Sequence, residues 1–472
     1  MQLEVRPHGD MRLRARPPVE SGRLVVLSSA FMFCIALYFL LPGDALPMLG
    51  WQYYGGGGEF QKIHPATYLT IVVFSLLIAV DRTFRRRCLA QLMSDYAFVA
   101  FAIAATATSF VAIVVRGASI ANLAETFALA LVVRLAIVAI PRKPMIQFRT
   151  FVDVLFFVGA ASVFFEFAFK RSLIFENPVF YDPNTGQTIV TEFRAAGIFG
   201  HPLSAAGFFS LYAILNFVST PMRLSFGCAT RLFLAGLAFV AVLPTGGRSS
   251  LLAGALIMTV YVGVSVLRAL AKGSFSKAGL VWFVALLTCM VFSLPVMERF
   301  DVFNVMLARF SHDDGSTLSR EYALQLVLSQ RLEDLWLGFD LEYVLNLQRR
   351  FRLVAIENAW MNFALVCGLI VTIPLFVSYL LLLFRSNPRY CTSGIYYTAL
   401  FQLILSNATN DLWAKNPGFA TTLAIVFSFL RKDLVVTAPA IRQYRGSQGR
   451  LSLPALSGDR ISQGSAIGVQ SS

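Results

Sequence analysis

The sequence predicts an all-α membrane protein with about twelve transmembrane helices. Three observations lead to this fold class. Hydrophobic residues make up 57% of the chain, charged residues only 14%, and the mean hydropathy is +0.66, which is far from an ordinary soluble domain. A bilayer span requires about 20 mainly apolar residues, and such segments recur along most of the chain. Lysine and arginine concentrate in alternate connections between them, as in polytopic membrane proteins.

Twelve apolar segments are predicted to cross the bilayer. The seventh, eleventh and twelfth are short, so ten or eleven spans are the alternatives. The first segment is too long for a cleaved signal and no small-x-small site follows it, so it is predicted to be a retained span. The twelve segments cover residues 24–41, 66–80, 96–115, 120–140, 151–169, 195–218, 232–243, 249–267, 278–296, 358–383, 394–406 and 418–430.

The distribution of basic residues predicts that both termini are cytoplasmic. Residues 1–23 form a basic cytoplasmic segment, residues 24–430 the multi-spanning domain, and residues 431–472 a cytoplasmic tail. The tail is rich in Ser, Gly and Gln, a composition that predicts disorder. The net charge of +14 is attributed to contact with anionic membrane lipids. Nucleic-acid binding is rejected because the basic residues are dispersed around span ends, with no aromatic-interleaved patch.

The largest connection, residues 297–357, is predicted to be a partly helical periplasmic loop before the tenth span. Within it, "SHDDGSTLSREYALQLVLSQRLEDLWLGFD" indicates a turn, an N-cap near Ser316 and an amphipathic helix that ends near Gly338.

No metal or other cofactor is predicted. The six cysteines fall in spans or cytoplasmic connections and show no zinc-ligand spacing. The stretch His312-Asp313-Asp314 has ligand-type side chains, but aspartates are ordinary in turns that precede helices, and we interpret it as such a turn.

Arginines at the starts of helices predict an anion-binding site on the periplasmic side. Arg248 follows the helix-breaking "PTGG", Arg320 lies in the first turn after Ser316, and Arg194 and His201 precede a long apolar run. Free N–H groups and the positive end of the helix dipole attract anions there, and a guanidinium binds phosphate in a bidentate manner. The alternative is that each arginine reaches for lipid headgroups and that His201 only begins a helix.

Four charged residues occur within the predicted spans. Glu125 and Arg134 are spaced to face opposite sides of one helix, so they are not expected to pair, and Arg134 is expected to extend to the membrane edge. Asp153 and Glu166 lie near the ends of the fifth span, where we expect them to be exposed.

Four stretches in order, "FRAAGIFGHPLSAAGFF", "PTGGRSSLLAGAL", "STLSREYALQLVLSQRLEDLWLGFD" and "IENAWMNFALVCGLI", resemble motifs of the O-antigen ligase and Wzy-type polymerase superfamily. The resemblance covers about residues 190–370. It implies a metal-independent, inverting glycosyltransferase that uses sugars carried on undecaprenyl diphosphate at the outer face of the bacterial inner membrane. It further implies that Arg194 and Arg248, with His201, bind the diphosphate, and that Arg320 lies near the leaving or acceptor group.

The chain departs from the ligases of this family at one position. Those proteins carry a histidine near the end of the long loop, where this chain has Ile356-Glu357-Asn358. The difference favours a polymerase of exopolysaccharide repeat units, with Glu357 as the substitute base. Glu357 could instead cap the tenth span, and His312, Asp313 and Asp411 are then the next candidate bases.

Three other functions stay open. One is an O-antigen-type ligase with a different acceptor. Another is a twelve-span secondary transporter, because "DRTFRRR" is similar to an inner loop of major-facilitator carriers, although Leu77 and Phe84 replace both of its glycines. A third is a non-catalytic member of a polysaccharide assembly complex. The polymerase interpretation predicts a flippase and a chain-length regulator as partners.

Overall fold

The computed structural model describes most of the chain from residue 22 to residue 432. The described residues are 22–53, 57–173, 180–181, 188–189, 193–218, 226–271, 316–351, 353, 356–385, 390–408, 412–413, 415 and 417–432. The predicted span at 278–296, the predicted tail from residue 433, and the residues His312, Asp313 and Asp411 lie outside them.

The described residues form a helical fold, so the predicted all-α class is confirmed. A pairing of two-residue strands, Phe180–Tyr181 with Thr188–Ile189, is antiparallel. Helix α4 continues as a π-turn over Val111–Val115, and a second π-turn, Ala124–Ala128, joins α5 to α6. The helices are α1 Gly22–Leu40, α2 Pro65–Val80, α3 Arg82–Ser94, α4 Tyr96–Phe110, α5 Ile120–Leu123, α6 Leu129–Ala139, α7 Arg142–Phe169, α8 Pro202–Val218, α9 Phe226–Val242, α10 Arg248–Ala271, α11 Ser316–Leu328, α12 Leu332–Leu337, α13 Leu341–Arg350, α14 Ala359–Cys367, α15 Leu369–Phe384, α16 Thr392–Ala408 and α17 Gly418–Leu430.

Several helices have the length and composition of membrane spans. Five described stretches are long and apolar enough to cross a bilayer: Gly22–Leu40, Tyr96–Val115, Ile120–Ala139, Arg142–Phe169 and Arg248–Arg268. A sixth results if α2 and α3 count as one broken span, although these helices meet at an angle of 105°. The helices Pro202–Val218, Leu369–Phe384 and Gly418–Leu430 are apolar but shorter. By length and composition, several described helices could cross a membrane, which is consistent with a membrane protein.

Helix α3 leaves the direction of α2 at Asp81. The Asp81 carboxylate accepts the Phe84 N–H at 2.8 Å and so begins the new helix. Phe84 and Cys88 are buried, and Arg87 donates to the Ala139 carbonyl at 3.1 Å, which fastens α3 to the end of α6. The arginines of "DRTFRRR" thus lie on a short helix that packs across the end of the bundle.

The predicted tenth span is broken into α14 and α15 at Gly368. The backbone of Gly338, from the long loop, lies directly against Gly368, and a Cβ atom on either glycine would collide with the other segment. Both glycines have positive φ values, 75° and 82°. Phe339 donates its N–H to the Leu365 carbonyl at 2.6 Å, which satisfies an end group of α14. The long loop is in this way inserted into the helix break.

Contacts between connections define two ends of the bundle. At one, which we call the Arg194 end, Ser119 donates to Glu59 at 2.6 Å and Arg116 contacts Asp340 at 2.7 Å. At the other, the Asp95 end, Arg431 donates to the Ile140 carbonyl at 2.8 Å.

The Asp95 end contains a buried ion pair that corrects one expectation. Arg134 does not extend to the membrane edge: it is 2% exposed, and its Nη2 lies 3.1 Å from Asp95 Oδ2. Its guanidinium carbon lies 4.7 Å from the centre of the Phe427 ring. The expectation was wrong because Asp95, on the neighbouring helix, neutralises the charge inside the protein.

Candidate functional site

The segment before α8 is joined to the turn between α9 and α10. Ala195 donates its N–H to the Pro244 carbonyl at 3.1 Å. The Arg194 guanidinium donates through Nε to the Thr245 carbonyl at 3.2 Å and through Nη2 to the Gly246 carbonyl at 3.4 Å. These contacts place the half-buried Arg194 side chain against the turn that leads into α10.

Arg248 lies at the first position of α10, at the end of the same turn. Its N–H donates to the Gly246 carbonyl at 3.1 Å, the carbonyl that also accepts from Arg194. Gly247 lies directly against Ala206 of α8, which brings the turn close to the segment that carries His201. The two arginines that the sequence predicted for one anion are thereby brought to a shared turn. Arg248 is half-buried.

His201 precedes α8 and completes a group with these arginines, which we call the Arg194 cluster (Arg194, His201 and Arg248). The His201 Nδ1 accepts the Leu203 N–H at 3.2 Å, so the neutral ring carries its proton on Nε2. Although one edge of the residue is exposed, burial first, and then the charge of Arg194, lower the pKa of His201. Asp44, which lies against Gly200, opposes this shift. His201 therefore presents a neutral N–H donor.

The predicted catalytic residues Arg320 and Glu357 form an ion pair. Arg320 Nε and Nη2 both lie 3.2 Å from Glu357 Oε2, and the two side chains are 49% and 44% exposed. Both nitrogens contact the same oxygen, and Oε1 has no partner among the described residues. The pair joins the first half of α11 to the segment that leads into α14, two residues before that helix begins.

Glu357 does not cap α14; the adjacent Asn358 does. The Asn358 Oδ1 accepts the N–H groups of Trp360 at 2.9 Å and Met361 at 3.1 Å. Its Nδ2 donates to the Asn407 carbonyl at 3.1 Å. Asn358 therefore binds the N–H groups at the start of α14, and the Glu357 carboxylate contacts Arg320.

Helix α16 contacts elements of both the Arg194 cluster and the Arg320–Glu357 pair, at the same end of the bundle. Its last turn carries Asn407, which binds Asn358 next to the ion pair. The same helix packs against α8 and α10, the two helices that begin at the Arg194 cluster. The Arg194 cluster and the Arg320–Glu357 pair therefore both lie beside α16.

Glu125, which sequence reasoning left without a role, anchors the connection that carries Asp44. Glu125 is fully buried and accepts hydrogen bonds from the Tyr53 hydroxyl at 2.7 Å and from the His64 N–H. His64 Nε2 donates to the Leu41 carbonyl at 2.7 Å, and burial lowers the pKa of its ring to about 4. This network holds residues 41–64 against α5 and α6. A glutamate within an apolar run was the available signal.

Asp153 and Glu166 also differ from expectation. Asp153 is half-buried and accepts the Tyr212 hydroxyl at 2.8 Å. Glu166 is 1% exposed and accepts N–H groups from Leu173, Ala196 and Gly197, each at 2.8 Å. Exposure of Glu166 was wrongly predicted because its hydrogen-bond donors lie in two segments, one at the start and one at the end of the connection from α7 to α8. The sequence does not show that these two segments meet at Glu166.

No grouping of three His, Cys, Asp or Glu side chains suited to a metal ion occurs in the parts of the chain that the structure describes. In comparisons with known proteins, no family model and no curated protein sequence matches the chain. The features of the described chain that bear on function are the Arg194 cluster, the Arg320–Glu357 pair and the short motifs that contain them.

Proposed function

We propose that the protein is a membrane glycosyltransferase that polymerises oligosaccharide repeat units linked to undecaprenyl diphosphate. The observation that carries this proposal is that Arg194 is held against the turn from which Arg248 begins α10. The Arg194 guanidinium and the Arg248 main-chain N–H both donate to the Gly246 carbonyl. The diphosphate that joins a lipid to a sugar carries one negative charge on each phosphate. Two guanidinium groups and the neutral His201 N–H match those charges in number and in hydrogen-bonding character.

The donor diphosphate becomes the leaving group of the reaction. As the bond between the anomeric carbon and the diphosphate oxygen breaks, that oxygen gains negative charge. Arg194 and Arg248 would stabilise this charge without having to move, which is the usual source of rate enhancement at such sites. His201 would donate its Nε2–H to a phosphate oxygen, since Nδ1 is occupied by the Leu203 N–H.

The acceptor hydroxyl attacks the anomeric carbon from the face opposite the diphosphate. Its oxygen forms the new glycosidic bond and its proton passes to Glu357, which acts as the base of an inverting transfer. Arg320 binds Glu357 Oε2 and so leaves Oε1 to face the acceptor. The products are a glycan longer by one repeat unit and undecaprenyl diphosphate.

The proposed reaction takes place at the outer face of the bacterial inner membrane, with both termini cytoplasmic. The excess of Lys and Arg in the connections at the Asp95 end supports this orientation. A reporter enzyme fused after Asp340 should be active only outside the cytoplasm, and one fused after Arg87 only inside. A cytoplasmic signal at Asp340 would rule out an external site.

Purified protein in lipid nanodiscs, supplied with lipid-linked repeat units, tests the activity itself. A polymerase lengthens the glycan and releases undecaprenyl diphosphate without any further protein. A ligase would do so only with a separate acceptor, and a transporter or a non-catalytic assembly partner would release no lipid diphosphate. Absence of release from an assay with the matching repeat unit would contradict the proposal.

A further inference from the structure

A buried carboxylate holds the chain on both sides of the connection between α7 and α8. Glu166 Oε1 accepts the Leu173 N–H at 2.8 Å, just after α7 ends. Glu166 Oε2 accepts the N–H groups of Ala196 and Gly197 at 2.8 Å each, where the chain returns toward α8. The Glu166 side chain, 1% exposed, therefore joins the start of this connection to its end.

The returning chain has a shape that suits this carboxylate. Gly197 has a φ of 55°, in the left-handed region, and a Cβ atom there would press against Ser162 and Val163. This conformation turns two successive N–H groups toward one oxygen, an arrangement that binds anions. Ser162 Oγ accepts the next N–H, that of Ile198, at 3.3 Å. Helix α7 thus fixes the main chain at three consecutive residues.

Arg194 and Ala195, just before this segment, are bound to the turn between α9 and α10. Ala195 donates to the Pro244 carbonyl, and Arg194 donates to the carbonyls of Thr245 and Gly246. Residues 194–197 therefore lie between the Glu166 carboxylate and the turn that ends at Arg248. A shift of this short segment would move Arg194 away from the carbonyl that it shares with Arg248.

We propose that Glu166 is the positioning residue of the Arg194 cluster. Its carboxylate fixes the main chain of residues 194–197, so that Arg194 and Arg248 face the same diphosphate. A charged acceptor suits this task because hydrogen bonds to an ionised carboxylate are shorter and stronger than those to a neutral amide. Glu166 contacts no substrate in this role, which rests on the diphosphate-binding function proposed above.

The variant Glu166→Gln in the full-length protein in nanodiscs tests the contacts directly. The amide oxygen can keep the Ala196 and Gly197 N–H groups only through weaker, uncharged hydrogen bonds, and the NH2 group then faces the Leu173 N–H donor. Hydrogen exchange at Ala196 and Gly197 should accelerate, and the dissociation constant for the lipid-linked repeat unit should rise about tenfold. Asp153→Asn is the matched control: it removes a carboxylate from the same helix, where the partner is the Tyr212 hydroxyl. Unchanged exchange at Ala196 and Gly197 in Glu166→Gln would overturn the proposal.

A double-mutant cycle with Arg194→Ala separates positioning from general stabilisation. If Glu166 acts through Arg194, then Glu166→Gln should change binding less than about twofold in the Arg194→Ala background. An equal loss in both backgrounds would show that Glu166 stabilises the fold without positioning Arg194, and would overturn this inference alone. Wild-type binding by Arg194→Ala would instead overturn the diphosphate-binding function, and the role of Glu166 with it.

Discussion

Arginines at the two ends of the bundle are held in different ways. At the Asp95 end, Arg134 is 2% exposed, lies 3.1 Å from Asp95 and packs on Phe427. At the Arg194 end, Arg194 is half-buried and donates to two backbone carbonyls. A carboxylate both orients and neutralises an arginine, whereas a backbone carbonyl orients the guanidinium without cancelling its charge. The comparison therefore assigns the Arg134 pair (Arg134 and Asp95) to cohesion, and the Arg194 cluster keeps the binding role proposed above.

The Arg134 pair should give the largest effect on stability. Arg134→Ala removes the nearest cation from the buried Asp95 carboxylate, which keeps hydrogen bonds from Gln91 and Phe98 and a 4.0 Å contact with Arg385. Breaking a buried pair costs about 3–5 kcal/mol, and these remaining partners should hold the loss near the lower figure. The folded yield and the thermal denaturation temperature of the purified protein should both fall sharply. Replacing both partners with leucine should restore much of the loss, because no unpaired charge is then buried.

Arg86→Ala is the control at the same end, since Arg86 is exposed on α3. Its effect should stay within about 0.5 kcal/mol. If Arg134→Ala were as stable as Arg86→Ala, the distinction between a cohesive and a binding arginine would lose its structural basis.

Glu357→Gln should lower turnover by about 10²- to 10⁴-fold while donor binding is kept, because the amide cannot accept a proton. The rate of glycan extension at saturating donor measures this loss. Glu333 offers a matched control, as it forms a similar 3.2 Å pair with Arg331 on the long loop but is 82% exposed. Glu333→Gln should behave as the wild type. A near-normal rate in Glu357→Gln would show that Glu357 is not the base, and His312, Asp313 and Asp411 would be the next candidates.

His201 should produce a smaller, pH-dependent effect. Its pKa is lowered from 6.5, so the ring is neutral at pH 7 and gains a proton only in more acidic solution. The diphosphate keeps both charges over this range, so binding should tighten as the pH falls, by about fivefold, the difference between a neutral and a charged donor. Donor binding measured from pH 8 to pH 5 tests this, and His201→Phe should flatten the profile. A profile that His201→Phe leaves unchanged would exclude His201 from the binding group.

Helix extents were largely predictable because the length of an apolar run limits the span. The predicted segments 96–115 and 418–430 agree with Tyr96–Val115 and Gly418–Leu430. Helix α7 begins earlier than predicted, at Arg142, because a helix continues through polar turns beyond the apolar run. The break at Gly368 was missed because hydropathy does not report the approach of Gly338 from the long loop.

Side-chain partners distant in sequence were not predictable. Asp95 precedes Arg134 by 39 residues, and the donors to Glu166 Oε2 follow it by 30 and 31 residues. Residue type and helix-start context made Arg194, Arg248 and Arg320 candidates, and the family resemblance added Glu357. Only the folded structure shows that Arg194 and Arg248 meet at one turn and that Arg320 and Glu357 form an ion pair.

Equilibrium binding of an undecaprenyl-diphosphate-linked oligosaccharide to the protein in nanodiscs tests the central claim most directly. Arg248→Ala should weaken binding by about a hundredfold, the loss expected for a charge-assisted contact to phosphate. Arg248→Lys should recover only part of it, since an ammonium lacks the planar fork of a guanidinium. Arg331→Ala, on an exposed arginine of the long loop, should bind as the wild type does. Wild-type affinity in Arg248→Ala would contradict the assignment of the Arg194 cluster to a diphosphate.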